Sequence, residues 1–164
     1  MNALVLFDSE YGNTEQVARA IAAALPPVIS VRLERAGQVG KFDTQGVDLI
    51  IVGGPTHQHK VSARLKAVLE SAPRGSLKGV KAAAFDTRYR MAAWLSGSAA
   101  KRIARNLRKL GAKLIVPAES FFMQRDHPPK GQKRRHQLEH LEPGEVERAA
   151  KWAVGIPAAR SPIC

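Results

Sequence analysis

Short apolar runs alternate along this chain with segments whose apolar residues recur every three or four positions, and this alternation leaves few architectures open. Ala3 to Phe7 (ALVLF) has no polar alternation, as expected of a strand covered on both faces. Thr14 to Leu25 then sets Val17, Ala18, Ile21 and Leu25 on one helical face, and Pro26-Pro27 ends it. Val28 to Leu33 reads as a second strand and Val47 to Val52 (VDLIIV) as a third. A second helix carries Val61, Leu65, Val68 and Leu69 and stops before Pro73-Arg74-Gly75. Val80 to Phe85 is strand four. Ser98 caps a third helix with Ile103, Leu107 and Leu110, which Gly111 ends. Strand five lies within Lys113 to Met123, with Pro117 marking a bend or an edge. Pro143 opens the last helix, whose Glu145 and Glu147 suit the positive end of its dipole.

Five strands alternating with four helices predict right-handed βαβ units and a parallel sheet covered on both faces. At 164 residues this is one domain, 1–164, with no internal repeat. The lone Cys164 excludes an intramolecular disulfide. No apolar run approaches the roughly 20 residues of a membrane span, and Met1-Asn2-Ala3-Leu4 lacks the basic start of a signal peptide. The expected location is cytoplasmic.

In such sheets ligands bind beyond the carboxyl ends of the strands, so the loops 8–14, 53–60 and 86–97 carry the chemistry. Ser9-Glu10-Tyr11-Gly12-Asn13-Thr14 joins a strand to a helix N-terminus, where amides and the helix dipole favour an anion and Ser9 and Thr14 add hydroxyls. The loop holds no lysine or arginine, so its donors to an anion are neutral. It is neither a Walker A loop nor G-x-G-x-x-G, which argues against ATP or a dinucleotide. From the loop alone, an anion site and a helix cap without ligand both remain open.

Val5 to Ile21 (VLFDSEYGNTEQVARAI) resembles the N-terminal signature of flavodoxins, Gly53-Gly54-Pro55-Thr56 resembles the start of their second flavin loop, and Asp86-Thr87-Arg88-Tyr89 matches the Asp-x-x-Tyr of the third. Glu142-Pro143-Gly144-Glu145 with Ala149, Ala150 and Trp152 is similar to the family's last helix. The resemblance implies a three-layer α/β sandwich, a five-stranded parallel sheet of order 2-1-3-4-5, and bound FMN. Ser9, Glu10, Tyr11, Gly12, Asn13 and Thr14 would hold the phosphate. Pro55, Thr56, His57 and Gln58 would flank one side of the isoalloxazine ring. Asp86, Thr87 and Arg88 would bring backbone groups to its pyrimidine edge, and Tyr89 would stack on it, an arrangement worth about 0.5–1.5 kcal/mol beyond the area buried.

The chain departs from the family's pattern at three places. His57-Gln58-His59 stands where many flavodoxins place a tryptophan, a role Trp94 could take instead, and Thr56 is not followed by a glycine. Flavodoxins are typically acidic, whereas this chain has 26 basic against 14 acidic residues, a net +12. Thr87 to Ala118 holds eight basic residues and no acid, two-thirds of that excess. Lys101, Arg102, Arg105, Arg108 and Lys109 form one helical stripe opposite Ile103 and Leu107. The stripe reads as a solvated face or as a docking surface for an acidic redox partner. Nucleic acid ranks lowest, since no aromatic residue interleaves the cations. Finally, 124–142 is a loop insertion with three of the five histidines. Its His136-x-x-Glu139-His140 spells a zinc motif but lies in a short, proline-bounded segment without a third ligand, so no metal is assigned.

No Ser-His-Asp set or paired carboxylates compete with the flavin reading. An FMN-binding electron carrier is the expectation. A small FMN-dependent NAD(P)H:quinone-type reductase and a flavin-free basic binding module on the same fold are the alternatives. The carrier is favoured over the enzyme because no nicotinamide motif is visible.

Overall fold

The first apolar run forms strand β1 (Asn2–Phe7), buried from Ala3 onward. Leu4 and Leu6 face one side of the sheet while Ala3, Val5 and Phe7 face the other, so this strand feeds two separate cores. The computed structural model describes residues 1–39, 42–56, 61–90, 97–125 and 139–158. In chain order, β1 is followed by α1 (Asn13–Ala24), β2 (Ser30–Arg35), a 3-10 turn (Ala36–Gln38), β3 (Leu49–Pro55), α2 (Ala63–Ser71) and β4 (Lys81–Tyr89). Then come α3 (Ala99–Lys109), β5 (Lys113–Leu114), β6 (Glu119–Arg125), β7 (Glu139–Leu141) and α4 (Glu145–Gly155). The strand order is β2-β1-β3-β4-β6-β7, with β5 also paired to β4. Every pairing is parallel except that of β6 with β7.

Helices cover both faces, as the unalternating strands require. On one face α1 buries Val17, Ala18 and Ile21 and α4 buries Ala149 and Ala153. On the other α2 buries Leu65 and Leu69, and α3 buries Ile103, Ala104 and Leu107. Each fully buried leucine or isoleucine contributes about 1.5–3 kcal/mol. Phe85, Phe121 and Trp152 meet edge-on beneath α4, with centroids 5.9–6.3 Å apart.

The α/β sandwich is as expected, but the described residues form a sheet of seven strands rather than five. The fifth position is divided. Lys113–Leu114 pairs with Lys81–Ala82, the chain leaves the ladder, and Glu119–Met123 resumes pairing against Phe85–Tyr89. Pro117 lies in the gap, where its missing N–H cannot serve the ladder. The seventh strand comes from 124–142, read from sequence as loop. Leu141, His140 and Glu139 pair antiparallel with Met123, Gln124 and Arg125, a segment too short to show a period. The second strand begins at Ser30, not Val28, because a turn closes from Ile29 N–H to the Pro26 carbonyl at 2.9 Å and leaves Val28 83% exposed.

Candidate functional site

The carboxyl ends of β1, β3 and β4 lie side by side, with Phe7 opposite Gly53 and Pro55 opposite Thr87. This register brings loop 8–14 against the end of β4. Gly12, at φ +88°, is the N-cap of α1, and no side chain caps the helix, whose first-turn amides have no carbonyl within the helix to reach. The Ser9 hydroxyl accepts from Gly12 N–H at 3.0 Å, and the Thr14 and Thr87 hydroxyls meet at 2.7 Å across the loop. Ser9, Asn13, Thr14 and Thr87 are all buried polar residues. With Glu10, Tyr11, Pro55, Met123 and Glu139 they line a cavity of about 10 Å³. Asn13 is held by its amide, which donates to the Glu139 carbonyl at 3.0 Å.

Two arginines brace this loop from outside. Arg35, opposite Phe7 at the end of β2, donates to the Ser9 carbonyl and stands 3.8 Å from Glu15. Arg64, from α2, approaches both oxygens of the buried Asp8 at 3.3 and 3.4 Å.

A second constellation joins the stems of the other two loops. The Asp86 carboxylate is fully buried, and its Oδ2 accepts from Thr56 Oγ1 at 3.0 Å, Ser98 Oγ at 2.8 Å and Ala100 N–H at 3.0 Å. Its Oδ1 has no hydrogen-bond partner among the described residues and lies 3.9 Å from Arg88 Nε. Thr56 Oγ1 also accepts from Ala99 N–H at 2.9 Å, while Thr56 N–H donates to the Thr87 carbonyl. One carboxylate therefore ties Thr56, just past the end of β3, to Ser98 and Ala100 at the start of α3. Arg88, on the same face as Asp86, donates to Ser120 Oγ at 3.0 Å.

Tyr89 closes β4 opposite Met123 and is half-buried against the α1–α4 core. Its hydroxyl accepts from Arg125 Nε at 2.6 Å, and the Arg125 guanidinium lies 4.5 Å from its ring centroid. Arg125 also pairs with Glu139 at 3.1 Å. Burial, reinforced by the hydrogen bond and charge of Glu139, raises the Tyr89 pKa above the usual tyrosine range despite the opposing Arg125.

The described residues thus gather Ser9, Glu10, Tyr11, Asn13, Thr14, Pro55 and Thr87 around one cavity and Thr56 with Asp86 in one network. His57, Gln58, His59, Trp94 and His136 lie outside the described residues. Met123, Arg125, Arg35 and Arg64 escaped the sequence reading, which noted Glu139 only as part of the zinc motif. Only Arg35 had a usable signal, lying two residues beyond the strand expected over Val28 to Leu33 beside β1, a strand that runs on to Arg35 in the structure. Glu139 and His140, the remainder of the zinc motif, are neighbours on β7 and so point to opposite faces. His140 pairs with Gln124 at 2.8 Å, and Glu139 with Arg125.

A family model described as a flavodoxin domain matches residues 4–94. No curated protein matches the chain. Among solved structures, oxidised flavodoxin 1 from Bacillus cereus is similar with a TM-score of 0.77 at 18% identity, over 98% of this chain and 100% of that one. A flavodoxin from the domain Archaea gives 0.69 at 21% identity, over 96% and 97%. The rubredoxin oxygen:oxidoreductase of Desulfovibrio gigas gives 0.71 at 18%, over 96% of this chain but 35% of its own. Identities this low carry the fold alone. The model match spans more than half the chain, and on that ground the chain belongs to the flavodoxin family.

Proposed function

We propose that this chain is an FMN-binding electron-transfer protein of the cytoplasm, folded as one domain over 1–164. The observation that carries the reading is the convergence of buried neutral donors, Ser9, Asn13, Thr14 and Thr87, with the uncapped N-terminus of α1. That donor set suits a phosphate ester, for which a helix N-terminus supplies amides and a positive dipole end. Flavodoxin family members bind flavin, and the phosphate monoester of FMN is the group this loop would take. Glu10 and Glu139 line the same small cavity. A phosphoryl group is larger than this cavity of about 10 Å³, so binding it would require the rim side chains Glu10, Tyr11 and Glu139 to turn outward.

In this reading Ser9 to Thr14 hold the phosphate. Pro55, Thr56, His57 and Gln58 would flank one side of the ring, Asp86, Thr87 and Arg88 would bring backbone groups to its pyrimidine edge, and Tyr89 would stack on it. The flavin supplies the redox chemistry, and the protein supplies binding, orientation and electrostatics. Asp86 works at one remove, fixing the separation of the two loop stems through Thr56, Ser98 and Ala100. Arg64 offsets the charge of Asp8 at the foot of the phosphate loop. The redox partners are acidic proteins that meet the exposed basic stripe of α3. Carrier is preferred to NAD(P)H:quinone-type reductase for want of any nicotinamide motif.

The test is an FMN titration followed by visible absorbance. Parent protein is expected to bind FMN and shift both flavin bands. Thr14→Ala removes a buried hydroxyl and weakens binding by about tenfold, the effect of one lost charge-assisted hydrogen bond. Gly12→Val weakens it more. A Cβ at position 12 meets nothing within 4 Å, and the effect argued from this structure is that of forcing a β-branched residue to positive φ. Binding of FMN by both variants at parental affinity refutes the phosphate assignment, and a protein that ignores added FMN refutes the function.

A further inference from the structure

Away from the loops, one face of the molecule carries cations without carboxylates of their own. Every described arginine outside α3, Arg74 excepted, lies within 4.0 Å of an acid. On α3, Arg102, Arg105, Arg108 and the lysines Lys101 and Lys109 have no ion pair among the described residues, and neither does Arg74. The fold matches its arginines elsewhere and leaves this group unmatched.

The unmatched cations border a groove. Between α2 and α3 a space of about 400 Å³ is walled by Lys66, Arg102, Arg105 and Lys109. Past Asn106 it continues into a space of about 450 Å³ that ends at Arg74 and Leu110. Its one carboxylate among the described residues, Glu70, stands 3.7 Å from Lys66. Val61, Leu69 and Ala72 add aliphatic surface between the charges. Arg102, Arg105 and Lys109 follow one another at steps of three and four residues on α3, about 4.5 and 6.0 Å along its axis. Glutamates at i, i+3 and i+7 of a second helix repeat those steps over about 10.5 Å, whereas three same-face side chains on an extended strand span about 13 Å and fall out of step. Among the described residues the groove has no aromatic side chain on which a base could stack.

We propose that the α2–α3 groove seats an acidic amphipathic helix of a partner protein. The partner's identity as a redox protein rests on the electron-carrier reading, while the seat rests on the groove's own charge and spacing. The N-terminal end of α3 is tied through Ser98 and Ala100 to Asp86 beneath the loops. A helix lying along α3 therefore has one end beside them.

The test uses two labelled peptides of about 15 residues, long enough to hold helix in an alanine-rich host, and reads fluorescence anisotropy at 0.15 M salt. One carries glutamates at i, i+3, i+4 and i+7, and the other has the same composition with the glutamates spread around the helix. The first is expected to bind about tenfold tighter, the effect of two or more aligned ion pairs. Arg102→Gln with Lys109→Gln erases that preference, while Lys101→Gln with Arg108→Gln on the far flank of α3 keeps it. Equal binding of the two peptides, equal loss in both double variants, or displacement of the first peptide by an equimolar 15-base-pair DNA duplex each overturns the proposal. FMN is titrated into the same samples. Failure of the peptide arms with FMN bound removes the groove alone; success without FMN binding keeps the groove and removes the carrier reading.

Discussion

Replacing Asp86 with alanine removes one acceptor that three donors share. Thr56 Oγ1, Ser98 Oγ and Ala100 N–H all converge on its Oδ2. An unsatisfied buried donor costs about 1–3 kcal/mol. The Ala100 amide is fixed by the helix at a buried position and bears this cost in full. The two hydroxyls belong to half-buried residues and can turn toward other acceptors, so each bears the lower part of the range. The sum is about 3–5 kcal/mol. In a chain of this size each kcal/mol lowers Tm by about 2–4 °C, so Asp86→Ala should melt about 10 °C below the parent. Asp86→Asn keeps the volume and one acceptor but sets an amide nitrogen at the site of the unpartnered Oδ1 or of Oδ2. Its loss should be about half as large. Urea denaturation with a common m-value gives the free energies, and circular dichroism gives Tm. An Asp86→Ala protein within about 1 kcal/mol of the parent, or an Asp86→Asn protein less stable than Asp86→Ala, refutes the view that this carboxylate holds the loop stems.

Three further outcomes follow from the same coordinates. A Cβ added at Gly53 would stand 2.0 Å from Phe85 Cζ, and that ring is packed edge-on against Phe121 and Trp152. Gly53→Ala should therefore cost about 3 kcal/mol by urea denaturation, with partial recovery when Phe85→Leu is added. Burial raises the Glu145 pKa, but hydrogen bonds from Arg148 and from Phe122 N–H outweigh it and hold the carboxyl below its ordinary range. A depressed folded-state pKa gives stability that is present above the unfolded value, about 4.3, and is lost as pH falls through the folded value. Glu145→Gln should be less stable than the parent at pH 7, with the gap narrowing in acid melts; a gap constant from pH 7 to 3 contradicts this. Tyr11 and Tyr89 are the chain's two tyrosines, so absorbance at 295 nm isolates Tyr89 once Tyr11→Phe is made. Glu139→Gln should bring its midpoint down toward the ordinary value without abolishing the rise due to burial, and an upward move counts against the Glu139–Arg125–Tyr89 arrangement.

Hydrophobic patterning made the layers of the sandwich legible, and polar strand-to-helix turns marked the loops of the candidate site. Hydrophobic periodicity reports average burial over a segment, and β1, α1 and α3 each have enough apolar residues in step to reveal their partners' side. Gly12 and the polar residues around it likewise mark a strand-to-helix turn locally. Tertiary structure alone decided which side chains meet. The Thr14–Thr87 contact spans 73 positions, and Asn13 reaches Glu139 across 126. Such pairs depend on strand register and on the crossover path, and a single residue's partner leaves no trace in the period of its own segment. The three residues of β7 are too few to show any period, yet pairing with β6 brings Glu139 to the rim of the cavity. Asp86 shows the same limit. Its place just past the expected strand, Val80 to Phe85, was legible, but β4 runs on to Tyr89 and the choice of donors fell to the packing of α3, because only the closed fold sets Ser98 and Ala100 above the strand.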